Sequence, residues 1–414
     1  MPANRDSWVF VSVVIAAAAV LVSIAAAETV LAIACLGWIV LRPRAVVWPS
    51  YFVPLCAFMA TTVLALIMSP QPQVGMASVR KFVLFSMGLL AANLVTTPKR
   101  ARIAHGALLA VAAAASLFAL GQFAVKYTHF LSTQGDDPVL NRRITGFMGH
   151  WLTFSGEQLL IWCAAIPAML VLGRRWLIPL GIVGAALVLS FTRGVWLGAI
   201  ASFIVVALAI PRRVLLGVAV PIALVAVAAS GLIYHRISMS FQQEKFAPDS
   251  GRVELLIGGV RMIRDHPLFG VGPERIHTEF PRYARSIPTY YGHLENNVVQ
   301  LAAERGLLCL AAFLWFIFEL YASLIAKLKK AADDTRWAIL SAISALTGFV
   351  VSGFFEYNFG DSEVFLLFLF IVSIPYGLEG VLAADYADYA DRGELRDAPR
   401  ILIKFSRWIR GASL

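Results

Sequence analysis

Apolar runs about as long as a bilayer is thick recur along almost the whole chain, and nothing else constrains its fold as strongly. A helix needs roughly 20 apolar residues to cross the hydrocarbon core. Runs near that length fall at 8–26, 29–41, 50–68, 82–97, 103–125, 150–172, 177–191, 194–210, 214–233, 306–326, 337–355 and 364–384. A mean hydropathy of +0.75, with 59% hydrophobic and 14% charged residues, excludes every soluble class. The expectation is an all-α polytopic membrane protein with about 12 transmembrane helices. Helices one to nine would occupy 1–233, a large loop 234–305, helices ten to twelve 306–385, and a basic tail 386–414. The first run is too long for a signal-peptide core and leads straight into further spans, so it reads as a retained helix. Cys35, Cys56, Cys163 and Cys309 all fall in expected spans and read as buried small apolar residues.

Lys and Arg gather in cytoplasmic loops close to span ends. Arg42/Arg44, Lys99/Arg100/Arg102, Arg174/Arg175, Arg212/Arg213 and Lys327/Lys329/Lys330/Arg336 fall on one side if the spans number twelve. The tail, with Arg392 to Arg410, joins them. That side is the cytoplasm, which places 70–81, 126–149, 192–193, 234–305 and 356–363 outside it. The segment Ala398–Leu414 interleaves apolar and basic residues, as an interfacial helix on an anionic leaflet would, and the acidic, alanine-rich Ala383–Asp391 reads as a linker.

The large outer loop carries Arg236, Lys245, Arg252, Arg261, Arg264, Arg275, Arg282, Arg285 and Arg305. So many cations outside the cytoplasm point to an anionic substrate. Arg193 sits between two apolar runs, where an ionisable group is costly and usually faces a cavity or partner. Asp249-Ser-Gly-Arg-Val-Glu254 looks like the start of a helix whose Val253, Leu256, Ile257 and Val260 share one face. Arg252 in its first turn opposes the helix dipole, so a bound anion or a carboxylate would have to explain it. Arg261 and Arg264 on the same helix are candidates for substrate or headgroup contact. Asp265-His-Pro-Leu-Phe-Gly-Val-Gly-Pro273 is a helix stop and turn in which His266 reads as structural.

The segment from His293 to Gly306 predicts a helix beginning at Asn296 or Asn297. If helical turns begin near His293, then His293, Asn297, Gln300 and Glu304 form one polar stripe. Arg142, Arg143 and His150 form a second patch leading into a span, where substrate contact and interfacial anchoring are equally supported. Asp361-Ser-Glu363 reads as an interfacial turn, and the remaining outer carboxylates are scattered. No His, Asp and Cys grouping suggests a metal, and no Walker or dinucleotide motif is present.

Taken in order, Thr192-Arg-Gly-x-Trp196, Gly251-Arg252, His266-Pro-Leu-Phe-Gly-Val-Gly272 and His293-Leu-Glu-Asn-Asn…Glu-Arg-Gly306 resemble the O-antigen ligase family. That family shares its core with the Wzy-type O-antigen polymerases. The resemblance covers roughly 190–310 and, loosely, the twelve-span frame. It implies a cofactor-free, metal-independent glycosyltransferase of the GT-C type in the bacterial inner membrane. Such an enzyme moves a glycan from undecaprenyl pyrophosphate to the lipid A core on the periplasmic face, with no nucleic-acid partner. By position, Arg193 and Arg252 resemble the family's paired arginines and His293 its histidine. Many relatives read His-x-His-Asn where this chain has Glu295, so either His293 or Glu295 is the candidate base. Asn296 and Asn297 would contact substrate. A polymerase or a protein O-oligosaccharyltransferase using the same donor is the alternative, and a transporter or flippase a further one.

Overall fold

The computed structural model describes residues 6–41, 43, 46–132, 143–228, 230–231, 234, 251–285 and 292–391. Among them the chain is helical, without a strand. The helices are α1 (Ser7–Ala19), α2 (Ile24–Leu41), α3 (Phe52–Ile67), α4 (Pro72–Arg80), α5 (Ser86–Leu94), α6 (Pro98–Ser132) and α7 (Trp151–Leu172). There follow α8 (Leu177–Leu189), α9 (Arg193–Ala207), α10 (Arg212–Ala228), α11 (Arg252–Asp265), α12 (Asn297–Lys330), α13 (Asp333–Ser352) and α14 (Ser362–Asp391).

Among the described residues six stretches are long and apolar enough to cross a membrane: Ile24–Leu41, Pro72–Leu94, Pro98–His129, Trp151–Leu172, Asn297–Lys330 and Asp333–Ser352. Ser7–Ala19, Phe52–Ile67, Arg193–Ala207, Leu215–Ala228 and Ser362–Leu378 are apolar but shorter. At 1.5 Å per residue α1 reaches roughly 20 Å, short of a core about 30 Å thick. The chain is thus a polytopic helical membrane protein.

The bundle is organised around α7, α13 and α14. α13 packs on α7, α9 and α14, while α14 also packs on α5, and α12 on α3. Lipid tails are as apolar as leucine, so helices in a bilayer gain mainly from close approach and buried hydrogen bonds. Small residues supply both here. A Cβ on Gly198 of α9 would stand 2.7 Å from the Gly348 carbonyl of α13. The Ser344 hydroxyl donates to the Cys163 carbonyl (2.7 Å), the Ser341 hydroxyl to that of Ala164 (2.7 Å), and Ser202 meets Ser344 at 2.6 Å. Phe349, Phe359, Phe365 and Phe368 fill the space toward α14. This frame fixes the N-terminal ends of α7, α9, α12 and α14 relative to one another.

Several sequence expectations change. The first apolar run breaks at 20–23, where a turn returns the chain as α2 against α1, so it ends earlier than its composition suggests. α6 runs as one helix to Ser132, taking in the first residues of a segment read as loop. The outer segment around 72–80 is helical rather than loop. Ala383–Asp391 continues α14 instead of forming a linker, consistent with its alanine content. Only two of the four cysteines are buried: Cys163 and Cys309 are, Cys35 is half-buried, and Cys56 faces outward. The tail expected at 398–414 lies outside the described residues.

Candidate active site

α11 begins with Gly251 at φ +119°, a conformation that favours glycine, and Arg252 is its first residue. The helix buries Glu254, Leu255, Gly258, Gly259 and Met262 and exposes Val253, Leu256, Ile257 and Val260, as the spacing predicted. A Cβ on Gly258 would strike the Phe280 ring, and one on Gly259 the Val299 and Leu294 side chains, so the glycine pair lets α11 lie against the start of α12. Pro267 then stops the helix at Asp265. His266, exposed, meets the Tyr283 hydroxyl at 3.1 Å.

The two glycine-bearing motifs are halves of one lock. Val271 N–H donates to the Ala303 carbonyl (2.9 Å), Gly272 N–H to that of Glu304 (2.9 Å), and Leu307 N–H to that of Pro267 (2.8 Å). Gly306 at φ +83° interrupts α12 to allow this, and a Cβ there would collide with the Leu268 carbonyl.

α12 begins at Asn297, within the expected pair. Asn296 caps it, its side-chain oxygen accepting from Val298 N–H (2.9 Å) and Val299 N–H (3.1 Å). His293 therefore precedes the helix and is not part of a stripe along it. Glu295 takes φ +48°, turning the chain sharply before the cap. Both asparagines are committed to the turn between α13 and α14. The Asn296 amide donates to the Phe354 carbonyl (2.9 Å), Asn297 N–H to that of Gly353 (2.8 Å), and the Asn297 amide to the Asn358 side-chain oxygen (2.6 Å). Gln300 and Glu304 are buried, with Gln300 accepting from Leu294 N–H at 2.8 Å.

Around this turn the charged residues converge. Arg252 Nε donates to Glu295 Oε2 at 2.9 Å, with side chains 45% and 28% exposed, so a carboxylate does answer the cation that the helix dipole could not explain. His293 is exposed, its ring 5.7 Å from that of Tyr357. Glu356 is only 3% exposed, and neither of its carboxylate oxygens has a hydrogen-bond partner. Burial first, then the nearby Asp361 and Glu295, push its pKa up to about 8 against the pull of Arg252. It is therefore held protonated at neutral pH. Asp361 accepts from the Thr153 hydroxyl (2.6 Å) and from Glu363 N–H (3.2 Å), tying α7 to α14. His150 caps α7 through Nδ1, which accepts from Leu152 N–H at 3.2 Å. Burial lowers its pKa, with Arg143 and His293 adding to the effect and Asp361 and Glu295 opposing it. Arg193, half-buried, opens α9, and the adjoining Gly194 packs so closely on Phe355 that a Cβ would stand 2.6 Å from that side chain. The start of α9 thus abuts the same turn.

The other expected contacts disperse. Arg143 is buried, its guanidinium 4.8 Å from the Trp151 ring, while Arg142 lies outside the described residues. Arg261 braces α11, donating to the Tyr283 carbonyl (2.6 Å) and lying 3.8 Å from Glu254. Arg264 is exposed in the last turn of α11, where the dipole favours a cation. Several loop cations are structural: Arg275 and Arg282 pair with Glu279, and Arg305 is buried against Glu304 at 3.1 Å. Among the described residues no three His, Cys, Asp or Glu side chains are grouped to hold a metal ion. In the sequence Asp361 reads as part of an interfacial turn and Glu356 as one of the scattered carboxylates, and neither is assigned to the site. The available signal was a pair of carboxylates on a short outer turn between two apolar runs.

Residues 178–314 match the family model described as O-antigen ligase. Over those residues the chain is similar to that family. The match supports a membrane enzyme of the O-antigen ligase and polymerase type, one that transfers glycosyl groups. No curated protein matches the chain. The matched stretch contains Arg193, Arg252, the glycine lock, His293 and Glu295, whereas Glu356, Asp361 and His150 fall beyond it.

Proposed function

We propose that this chain is an O-antigen ligase acting at the periplasmic face of the bacterial inner membrane, within a twelve-span frame of GT-C type. It transfers a glycan from undecaprenyl pyrophosphate to a sugar hydroxyl of the lipid A core. The observation that carries this reading is the meeting of Arg252, Glu295, His293 and the start of α9 on the single turn that buries Glu356.

In this reading the acceptor oxygen attacks the anomeric carbon while the bond to pyrophosphate breaks. One displacement inverts that centre. His293, exposed beside the pair, takes the acceptor proton, since an imidazole is suited to that role near neutral pH. Arg252 and Arg193 bind the pyrophosphate oxygens as charge develops on them, through planar forks that match phosphate geometry. Glu295 holds the Arg252 fork in place before the donor arrives. The neutral Glu356 adds no second negative charge to compete with pyrophosphate.

The test is reconstitution of purified protein with lipid-linked glycan and rough lipopolysaccharide. Ligated lipopolysaccharide is the expected product. A product lengthened only on the lipid carrier would make the chain a polymerase, glycan on a protein acceptor an oligosaccharyltransferase, and glycan moved without bond formation a flippase.

A further inference from the structure

At the far end of α6 from Ser132, a cavity of about 440 Å³ lies between α6, the end of α7 and the turn at Arg174–Trp176. Its size is that of a ligand pocket, typically about 300–1,000 Å³. Ile103, Ala107, Ala110, Val171 and Leu172 make its walls, and Arg102 and Arg175 stand at its rim, both exposed. Among the described residues neither guanidinium has a hydrogen-bond or ion-pair partner, although cations are dense here and carboxylates sparse. Trp176 also lines the cavity, and its buried indole N–H has no acceptor.

We infer that this cavity binds one acidic phospholipid of the leaflet that faces the basic ends of α6 and α7. The phosphate group sits between Arg102 and Arg175, the Trp176 ring lines the wall, and an acyl chain follows Ile103, Ala107 and Ala110. Basic pockets between membrane helices select anionic headgroups in this way, because the cations meet phosphate while apolar walls replace neighbouring lipid tails. The site lies on the opposite face of the bundle from the glycosyl-transfer residues and does not depend on the reaction assigned to them.

Native mass spectrometry of the full chain, with phosphatidylglycerol or phosphatidylcholine titrated in detergent, tests this. Wild type should retain one phosphatidylglycerol in preference to phosphatidylcholine. Arg102→Gln with Arg175→Gln should bind it roughly 30-fold more weakly, at about 1 kcal/mol for each cation. Gly106→Leu should exclude it sterically: a Cβ there meets Trp176 and Leu172 only at 3.5–3.8 Å, leaving the larger side chain to enter the cavity. Arg174→Gln removes a neighbouring cation that does not line the cavity and should change nothing. Equal retention by the double variant, equal binding of the two lipids, or the same loss from Arg174→Gln would overturn the assignment. Full displacement of the lipid by millimolar inorganic phosphate would also overturn it, by making the site one for free anions.

Discussion

Replacing Glu356 with Gln should reshape how stability depends on pH. A glutamate titrates at 4.5 when unperturbed, and in the folded protein Glu356 titrates at about 8. The native state therefore binds more protons than the unfolded chain between these values. Its contribution is fully present below 4.5 and is lost as pH rises toward 8. Each pKa unit corresponds to 1.36 kcal/mol, so the loss reaches at most about 5 kcal/mol above pH 8. Gln has nearly the same shape and stays neutral throughout. Near pH 5 the two proteins should unfold at similar temperatures; by pH 8.5 Glu356→Gln should be the more stable, with the gap opening across that window. Tryptophan fluorescence during heating in detergent reads this, with one scan rate kept for all samples because membrane proteins of this size unfold irreversibly. Parallel curves for the two proteins from pH 5 to 9 would refute the claim that Glu356 is buried as the acid. Transfer by Glu356→Gln near pH 7 should stay within a few-fold of wild type, because the group it replaces is already neutral there.

His293→Ala should abolish transfer in a protein that still folds and inserts, measured by ligation in proteoliposomes; if Glu295→Gln is dead and His293→Ala active, the base is Glu295. Arg252→Ala and Arg193→Ala should each lose roughly 30- to 1000-fold in rate, as expected for about 2–4 kcal/mol of lost contact to a desolvated anion. The Lys variants should be clearly impaired for want of the fork, and Arg285→Ala, which removes an exposed side chain and keeps the backbone bond to Glu254, should stay within a few-fold. Gly306→Ala should fail to reach normal levels of folded protein, since it combines a strained φ with a clash against Leu268, and wild-type yield and melting would count against the lock. Transfer should persist in EDTA, and a loss restored by magnesium or manganese would contradict the arginine clamp as the sole phosphate partner.

The parts of the site that were legible in the sequence are those where composition breaks a rule of its surroundings. Arg252 stood out because the start of a helix repels cations, and Arg193 because a turn between apolar runs has little room for charge. The lock was half visible: Gly270, Gly272 and Gly306 announced tight backbone, but no periodicity says that Leu307 N–H will seek the Pro267 carbonyl. Glu295 hid its direction because a left-handed residue erases helical phase, so extending the stripe back to His293 put that residue on a helix it precedes. Glu356 and Asp361 were passed over because each, read locally, is an ordinary polar residue at a membrane edge. Their meaning comes from α7, α9 and α12, which converge on their turn from sequence distances that a linear reading does not connect.

That convergence bears on how a site can be stable when empty and still receive a dianion. The Arg252–Glu295 pair is partly exposed on both sides, and such pairs contribute about 1 kcal/mol or less. On the proposed reading, a pyrophosphate entering beside it can therefore displace Glu295 from the guanidinium at little cost. It gains two charge-assisted bonds from the planar fork in exchange. Were Glu356 ionised, Arg252 would face two carboxylates and the incoming phosphates would meet repulsion from both. Burial raises the Glu356 pKa against the pull of Arg252 and Ser352, which leaves one removable negative charge on the arginine. The released Glu295 lies two residues from His293 along the chain, on the same approach to α12. On the proposed reading, donor arrival would then fill the arginine and free Glu295, so that a fork already held in place before binding becomes the phosphate contact.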